Sequence, residues 1–288
     1  MPCFHAIPHL DARIRSHSRR RLDARRCLHR LLAPCTTFLL LVHLTTPGAA
    51  EKLQLVVKTT PGDSLLYRMQ MQQELNFQGM TISVTETGNV QFVVQESRHD
   101  TLQFAVRFSG FEGSVKRGDE LMERKPQYDG VALRAGVSRR GEVLDVALQT
   151  AMPAEARDGL KNLLENFFAY MAETPVEPGD TWTQVQQIPN KEDASAAPQV
   201  DGTTEYTLDE VTKKGGKMVA KILGKGRAKV NMQSSMGPVT GDVHGESAAL
   251  VSVDDGLVLE LKSSSDFAGN MGTNKGSRGE SFELKRIR

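Results

Sequence analysis

An alternation of apolar and polar residues over positions 65–77 constrains the fold most strongly. Its apolar positions include Tyr67, Met69, Met71, Leu75 and Phe77, and most residues between them are polar. Successive side chains of a strand point to opposite faces, so this pattern predicts a strand with one buried and one solvated face. Residues 102–108, with Phe104 and Phe108 on one face, repeat the alternation. The first half of the chain is therefore predicted to be an antiparallel meander.

A helical periodicity appears over residues 153–173. Leu160, Leu163, Leu164, Phe167, Phe168 and Met171 recur mainly at three- and four-residue steps, which predicts an amphipathic helix. Pro153 suits its first position and Thr174-Pro175 its end. Further strands are predicted over 181–188, 203–211, 217–223, 239–253, 257–267 and 280–287. Residues 109–129 are predicted as a loop or irregular edge, and 190–202 as a mobile loop.

These patterns predict a mainly β (α+β) fold. We expect a curved antiparallel sheet or half-barrel with one long amphipathic helix on its concave face. The predicted organisation is a single β-rich domain over 51–288. It comprises a first strand set (51–150), the helix (153–173) and a second strand set (180–288).

Residues 1–50 are predicted to be a secretory signal peptide with an extended basic N-region. They hold eight Arg against two Asp, then an apolar run at 38–42 and small residues before Glu51. This order is typical of a signal peptide, and we expect cleavage after Ala50. The predicted location is the periplasm or the extracellular space.

The remaining chain excludes several function classes. All three Cys lie within residues 1–50, so neither disulfides nor thiolate chemistry is expected in residues 51–288. Those residues keep 28 basic and 33 acidic side chains, a net charge of −5, which does not favour a nucleic-acid partner. With His99 and His244 as their only His, no metal site or cofactor is predicted.

The single Trp of the chain lies in the segment Gly179-Asp180-Thr181-Trp182. We interpret this segment as a structural corner. Gly179 would supply backbone freedom, Asp180 would cap the turn, and Trp182 would insert its ring under the end of the helix. A ligand contact by Trp182 is the alternative.

Together with the segment YDGVALRAGVSRRGEVLDV before the helix, this corner resembles an uncharacterised family of exported bacterial proteins, a domain of unknown function. That family carries Gly-Asp-Thr/Ser-Trp just after a helix, and the resemblance covers most of residues 51–288. The order of one helix among many strands is more remotely similar to LolA-like lipoprotein carriers. Those carriers are half-barrels that hold acyl chains between sheet and helix. No catalytic residue is implied.

The apolar faces of the first strands and of the helix are candidates to line a cavity for a lipid or another hydrophobic molecule. The candidate lining residues are Tyr67, Met69, Met71, Leu75, Phe77, Phe104, Phe108, Leu163, Phe167 and Met171. Methionine adapts to flexible partners, which favours a cavity. Core packing alone would also explain these side chains, since each contributes roughly 1.5–3 kcal/mol on burial.

Seven basic side chains cluster on a predicted hairpin: Lys213, Lys214, Lys217, Lys221, Lys225, Arg227 and Lys229. An anionic membrane surface or an acidic partner is one interpretation. Protection of an exposed sheet edge is the other.

Enzyme signatures are thin. Asp242 and His244 would share a strand face, and without a nucleophile motif a hydrolase ranks third among the candidate functions. The predicted function is non-enzymatic binding of a lipid or other hydrophobic ligand in the cell envelope. The alternative is a structural or protein-interaction envelope module without a ligand.

Overall fold

The structure, a computed structural model, describes residues 52–124, 126, 128–150, 154–188, 199–234, 237–272 and 274–287. The predicted signal peptide, its cleavage after Ala50, Pro153 and most of the predicted loop at 190–202 lie outside the described residues.

The described residues form twelve strands and one helix. They are β1 (Ser64–Phe77), β2 (Met80–Ser97), β3 (Thr101–Arg117), β4 (Glu120–Arg124), β5 (Ala132–Ser138), β6 (Val143–Leu148), α1 (Ala154–Glu165), β7 (Thr181–Ile188), β8 (Val200–Lys214), β9 (Lys217–Ser234), β10 (Gly237–Ser252), β11 (Val258–Met271) and β12 (Asn274–Arg286). Two segments that the sequence predicted as loops contain strand residues. Residues 109–129 contain the end of β3 and the short strand β4, and β8 already begins at Val200.

All twelve strands belong to one open, curved antiparallel sheet. Their order is β6-β5-β3-β2-β1-β12-β11-β10-β9-β8-β7, and β4 pairs with β3 beside this path. The strands before and after α1 are thus two meanders that meet where β1 pairs with β12. Because β6 and β7 stand at opposite ends of the order, the connection between them has to cross one face of the sheet. We call this the inner face.

The connection carries the helix, and the prediction of one long helix is wrong. α1 has only 12 residues, Ala154–Glu165. At its end the amide of Phe167 donates to the carbonyl of Leu164 at 3.0 Å, and that of Phe168 to the carbonyl of Glu165 at 3.3 Å. These are the tighter bonds typical of a terminating helix turn. Phe167 and Phe168, just after the helix, are both buried, and both rings contact Phe92 of β2.

Residues 166–172, which follow α1, are tied to the turn between β5 and β6. The amide of Met171 donates to the carbonyl of Arg140 at 2.9 Å, and Nε of Arg140 returns a bond to the Met171 carbonyl at 3.1 Å. Nη2 of Arg140 also donates to the hydroxyl of Tyr170 at 2.7 Å. Side-chain and backbone bonds therefore replace helical bonds in this segment.

The core lies where this connection meets the inner face of the sheet. The ring of Phe167 lies 5.7 Å from Tyr67 of β1, 5.1 Å from Phe92 of β2 and 6.0 Å from Phe282 of β12. Phe168 contacts Phe104 of β3 at 5.5 Å. The alternation that predicted strands in the first half is therefore the core-facing row of each strand.

Candidate functional site

Beyond the core, the described residues leave an open groove on the inner face of the sheet. The groove has a volume of about 700 Å³ and lies between the α1 side chains Asn162 and Leu163 and strands of both meanders. Side chains of β2 and of β7, far apart in the strand order, both line this groove. The sheet therefore curves around it.

Small residues on the second meander keep the groove open. On β9 the inner face changes from Ala220 and Ile222, which are core residues, to Gly224 and Gly226, which line the groove. On β10 the corresponding groove residue is Gly245, flanked by Ser247. Without bulky side chains at these positions, the sheet cannot pack against α1 as it does in the core.

One end of the groove continues into an apolar pocket of about 470 Å³. Val84 and Val243 line both cavities. The apolar side chains of the pocket come from β1, β2, β9, β10 and β11: Leu75, Ile82, Val84, Val230, Met232, Val239, Val243 and Phe267. The inner face thus turns from polar to apolar along the strands.

A polar network separates the core from the apolar pocket. Nε2 of Gln73 donates to Oε1 of Glu280 at 2.7 Å, and Nη2 of Arg278 donates to the same oxygen at 2.9 Å. All three residues line both cavities. They place charges and dipoles where the groove meets the apolar pocket, and such polar contacts can orient a ligand.

Glu86 is the most buried charged group of the groove. Its side chain is 2% exposed, and Oε1 lies 3.8 Å from Nη1 of Arg124. Among the described residues, no group forms a hydrogen bond with its second oxygen, Oε2. Burial raises the pKa of Glu86 above its usual value, and the nearby Arg124 opposes this shift.

Of the ten predicted lining residues, six belong to the core, three line the two cavities, and Phe77 belongs to neither set. Tyr67, Met69, Phe104, Phe108, Phe167 and Met171 are at most 1% exposed and pack in the core. Met71 and Leu163 line the groove, and Leu75 lines the apolar pocket. Phe77 is partly buried at the end of β1.

The Gly-Asp-Thr-Trp segment turns the chain into β7. Oδ2 of Asp180 accepts from the amide of Glu177 at 3.0 Å, and Gly179 adopts a positive φ of 97°. Nε1 of Trp182 donates to the carbonyl of Tyr170 at 2.8 Å. Its ring stacks on Tyr206 of β8 at 5.9 Å, so Trp182 joins the segment after α1 to the second meander.

Tyr206 connects this corner to the groove, which it also lines. Its hydroxyl donates to Oε1 of Gln184 at 3.0 Å. Burial, followed by the charge of Glu165, raises the pKa of Tyr206 to about 12.

The seven predicted basic residues lie on the β8–β9 hairpin, and several stand opposite acidic residues. Nζ of Lys221 lies 2.7 Å from Asp209. Lys225 is in register with Glu205 and Glu246, and Lys229 with Asp201 and Asp242. Lys213, Lys214 and Lys217 are exposed at the hairpin end, and Arg227 is exposed further along β9. The cross-strand acids were missed because they are distant in sequence.

His244 is exposed on the outer face of β10 together with Asp242, two residues earlier, and is in register with Asp266 of β11. Within the described part of the chain, no three His, Cys, Asp or Glu side chains group in a way that could hold a metal. Nor does that part contain a helix of the length and apolarity needed to cross a bilayer.

No protein-family model and no curated protein sequence matches this chain. Among solved structures it is similar to lipovitellin, from a study of lipid–protein interactions, with 10% identity and a TM-score of 0.49 over 80% of this chain. The chain spans about a quarter (25%) of that lipovitellin chain.

Two further structures are similar at lower scores. A DUF1329 family protein from Desulfovibrio piger ATCC 29098 has 9% identity and a TM-score of 0.24, covering 78% of this chain and 86% of that one. OccK5 (OpdH) of Pseudomonas aeruginosa has 6% identity and a TM-score of 0.27, covering 78% and 98%. These likenesses are too weak to assign a family or a function. Membership of the Gly-Asp-Thr-Trp family stays a prediction.

Proposed function

We propose that this chain is a non-enzymatic, exported cell-envelope protein that binds a lipid or another hydrophobic molecule. The observation that carries the proposal is the groove of about 700 Å³ on the inner face and its continuation into an apolar pocket of about 470 Å³. Cavities that bind small molecules typically measure 300–1,000 Å³ and are mainly apolar with a few placed polar groups.

The apolar lining of the pocket suits a flexible apolar chain, and the more polar groove beside it suits a polar group. Burial of a methylene group stabilises a complex by roughly 0.8 kcal/mol, so even a short apolar chain in the pocket would contribute substantially. Met71 at the groove and Met232 in the pocket have unbranched side chains that adapt to ligands of different shape. Export, an envelope location and the absence of catalysis are parts of the proposal that derive from the sequence pattern.

The first test is native mass spectrometry of the protein purified from cells that express the full chain, followed by solvent extraction. We expect co-purifying apolar molecules, or binding of an uncharged fluorescent apolar probe that added lipid displaces. A clean mass together with no probe binding would overturn the proposal in favour of a module without a ligand.

A matched pair of variants locates the binding site. Gly245→Leu adds a side chain to the groove face of β10, where a Cβ atom would lie 3.5 Å from the Ser264 carbonyl oxygen, an ordinary contact. His244→Leu places the same side chain on the outer face one residue earlier. We expect Gly245→Leu to weaken probe binding about tenfold or more, equivalent to about 1.4 kcal/mol, and His244→Leu to leave it unchanged. Equal affinities of both variants would place any binding elsewhere.

A further inference from the structure

Glu86 is buried at a position that packing alone does not explain. It lies on the inner face of β2, its residue is 1% exposed, and it lines the groove. A buried carboxylate normally has several hydrogen-bond donors, because removal from water is otherwise unfavourable. Oε2 of Glu86 has none among the described residues, and Oε1 lies 3.8 Å from Nη1 of Arg124, beyond hydrogen-bonding distance.

The space beside Glu86 is kept free by a glycine. Gly113 of β3 is in register with Glu86 on one side and with Arg124 on the other. A Cβ at Gly113 would lie 3.0 Å from the Arg124 carbonyl oxygen and 3.5 Å from Cγ of Glu86. Glycine thus lets the carboxylate and the guanidinium group approach each other across β3.

Along β1 and β2, the inner-face residues change from polar to apolar with increasing distance from Glu86. From Glu86, the inner face of β2 continues to Val84 and Ile82, and that of β1 from Gln73 to Leu75. At about 3.3 Å per residue, Ile82 lies roughly 13 Å from Glu86 along the strand. An acceptor at one end and an apolar pocket at the other match a molecule with a polar head and an apolar tail.

We propose that Glu86 binds the head group of an amphiphilic ligand, with Oε2 accepting a hydrogen bond from a hydroxyl or ammonium group while the tail occupies the apolar pocket. This inference rests on the proposed function and specifies the class of ligand. The hydrogen bond from the ligand would also offset the unfavourable burial of the Glu86 carboxylate.

The test compares three probes that share a twelve-carbon tail: dodecanol, dodecylammonium and laurate. Their affinities for the full chain are measured directly by isothermal titration calorimetry, so that no reporter head group competes at Glu86. We expect dodecanol or dodecylammonium to bind at least about tenfold more tightly than laurate, whose carboxylate would be repelled by Glu86. The preferred probe then distinguishes a hydroxyl head group from an ammonium head group.

Variants of Glu86 test the contact itself. Loss of a hydrogen bond to a charged group corresponds to a decrease in affinity on the order of 10- to 100-fold, so we expect Glu86→Leu to remove the preference for the donor probes. Glu86→Gln, which keeps the shape and one acceptor oxygen, should give a smaller decrease and serves if the Leu variant does not fold. The control is Glu74→Gln, on the exposed face of the neighbouring β1.

Two outcomes would overturn the inference in distinguishable ways. If the wild-type chain binds all three probes equally and the Glu86 variants bind like the wild type, the head-group role fails and the proposed function stands. If none of the probes binds to the wild-type chain, both proposals fail.

Discussion

Trp182→Ala should destabilise the protein because Trp182 is the point where the segment after α1 is attached to the second meander. The hydrogen bond from Nε1 to the Tyr170 carbonyl, at 2.8 Å, is worth about 1 kcal/mol. The stacking on Tyr206 at 5.9 Å adds about 1 kcal/mol, and partial burial of the indole ring adds about 1.5 kcal/mol. The expected decrease in the free energy of unfolding is therefore about 3.5 kcal/mol.

The assay is urea unfolding followed by far-UV circular dichroism, because the variant lacks the only Trp of the chain and gives no tryptophan fluorescence. At a typical urea dependence of about 3 kcal/mol per molar, we expect the midpoint to fall by about 1 M. Trp182→Phe, which keeps a stacked ring and loses the N–H donor, should lose only about 1 kcal/mol.

The matched control is Val185→Ala on the same strand, where the side chain is 65% exposed. It should change the free energy of unfolding by less than about 0.5 kcal/mol. A Trp182→Ala variant that unfolds within about 0.5 kcal/mol of the wild type would refute the assignment of Trp182 as an anchor.

Two further predictions test the core and the buried carboxylate. Phe167→Ala should lower the free energy of unfolding by about 3–5 kcal/mol, because Phe167 is 1% exposed and its ring contacts three aromatic rings. The control Leu144→Ala, at a 45% exposed position, should lower it by less than about 0.5 kcal/mol. Similar losses for both variants would mean that the segment after α1 does not pack as described. Glu86→Gln should become more stabilising relative to the wild type as the pH rises from 4 to 8. A raised pKa means that the folded wild-type protein loses stability as Glu86 ionises, by about 1.4 kcal/mol for each unit of the shift. A stability difference that does not change with pH would count against this explanation.

The mainly β architecture follows from local patterns. The alternation in β1 and β3 identifies the core-facing rows that contain Tyr67, Met69, Phe104 and Phe108, all of which are buried. The apolar residues between 160 and 171 are also buried, as their periodicity indicates. Their secondary structure was predicted less well: the helical pattern continued past Glu165, whereas α1 ends there and bonds between Arg140 and Met171 hold the segment that follows.

The groove could not be predicted from the same patterns. The middle of β9 contains Gly224 and Gly226, and much of β11 and β12 is rich in Gly and Ser. These stretches lack the alternation of a core-facing strand, and several strands are therefore longer than predicted. Pairing with neighbours on both sides keeps these segments extended. The loss of apolar alternation therefore marks the stretches whose inner face lines the groove instead of packing in the core.

Which residues meet in the site depends on pairing between strands that are far apart in sequence. Alternation indicates only that Glu86 and Gln73 belong to β-strands, since period two defines a face and not a neighbour. Their position beside Arg124 and Glu280 follows from the register of β2 with β3, of β3 with β4 and of β1 with β12. Strand identity is a local property of the chain, whereas a binding groove arises from long-range pairing, curvature and the crossing of α1 between the two edges of the sheet.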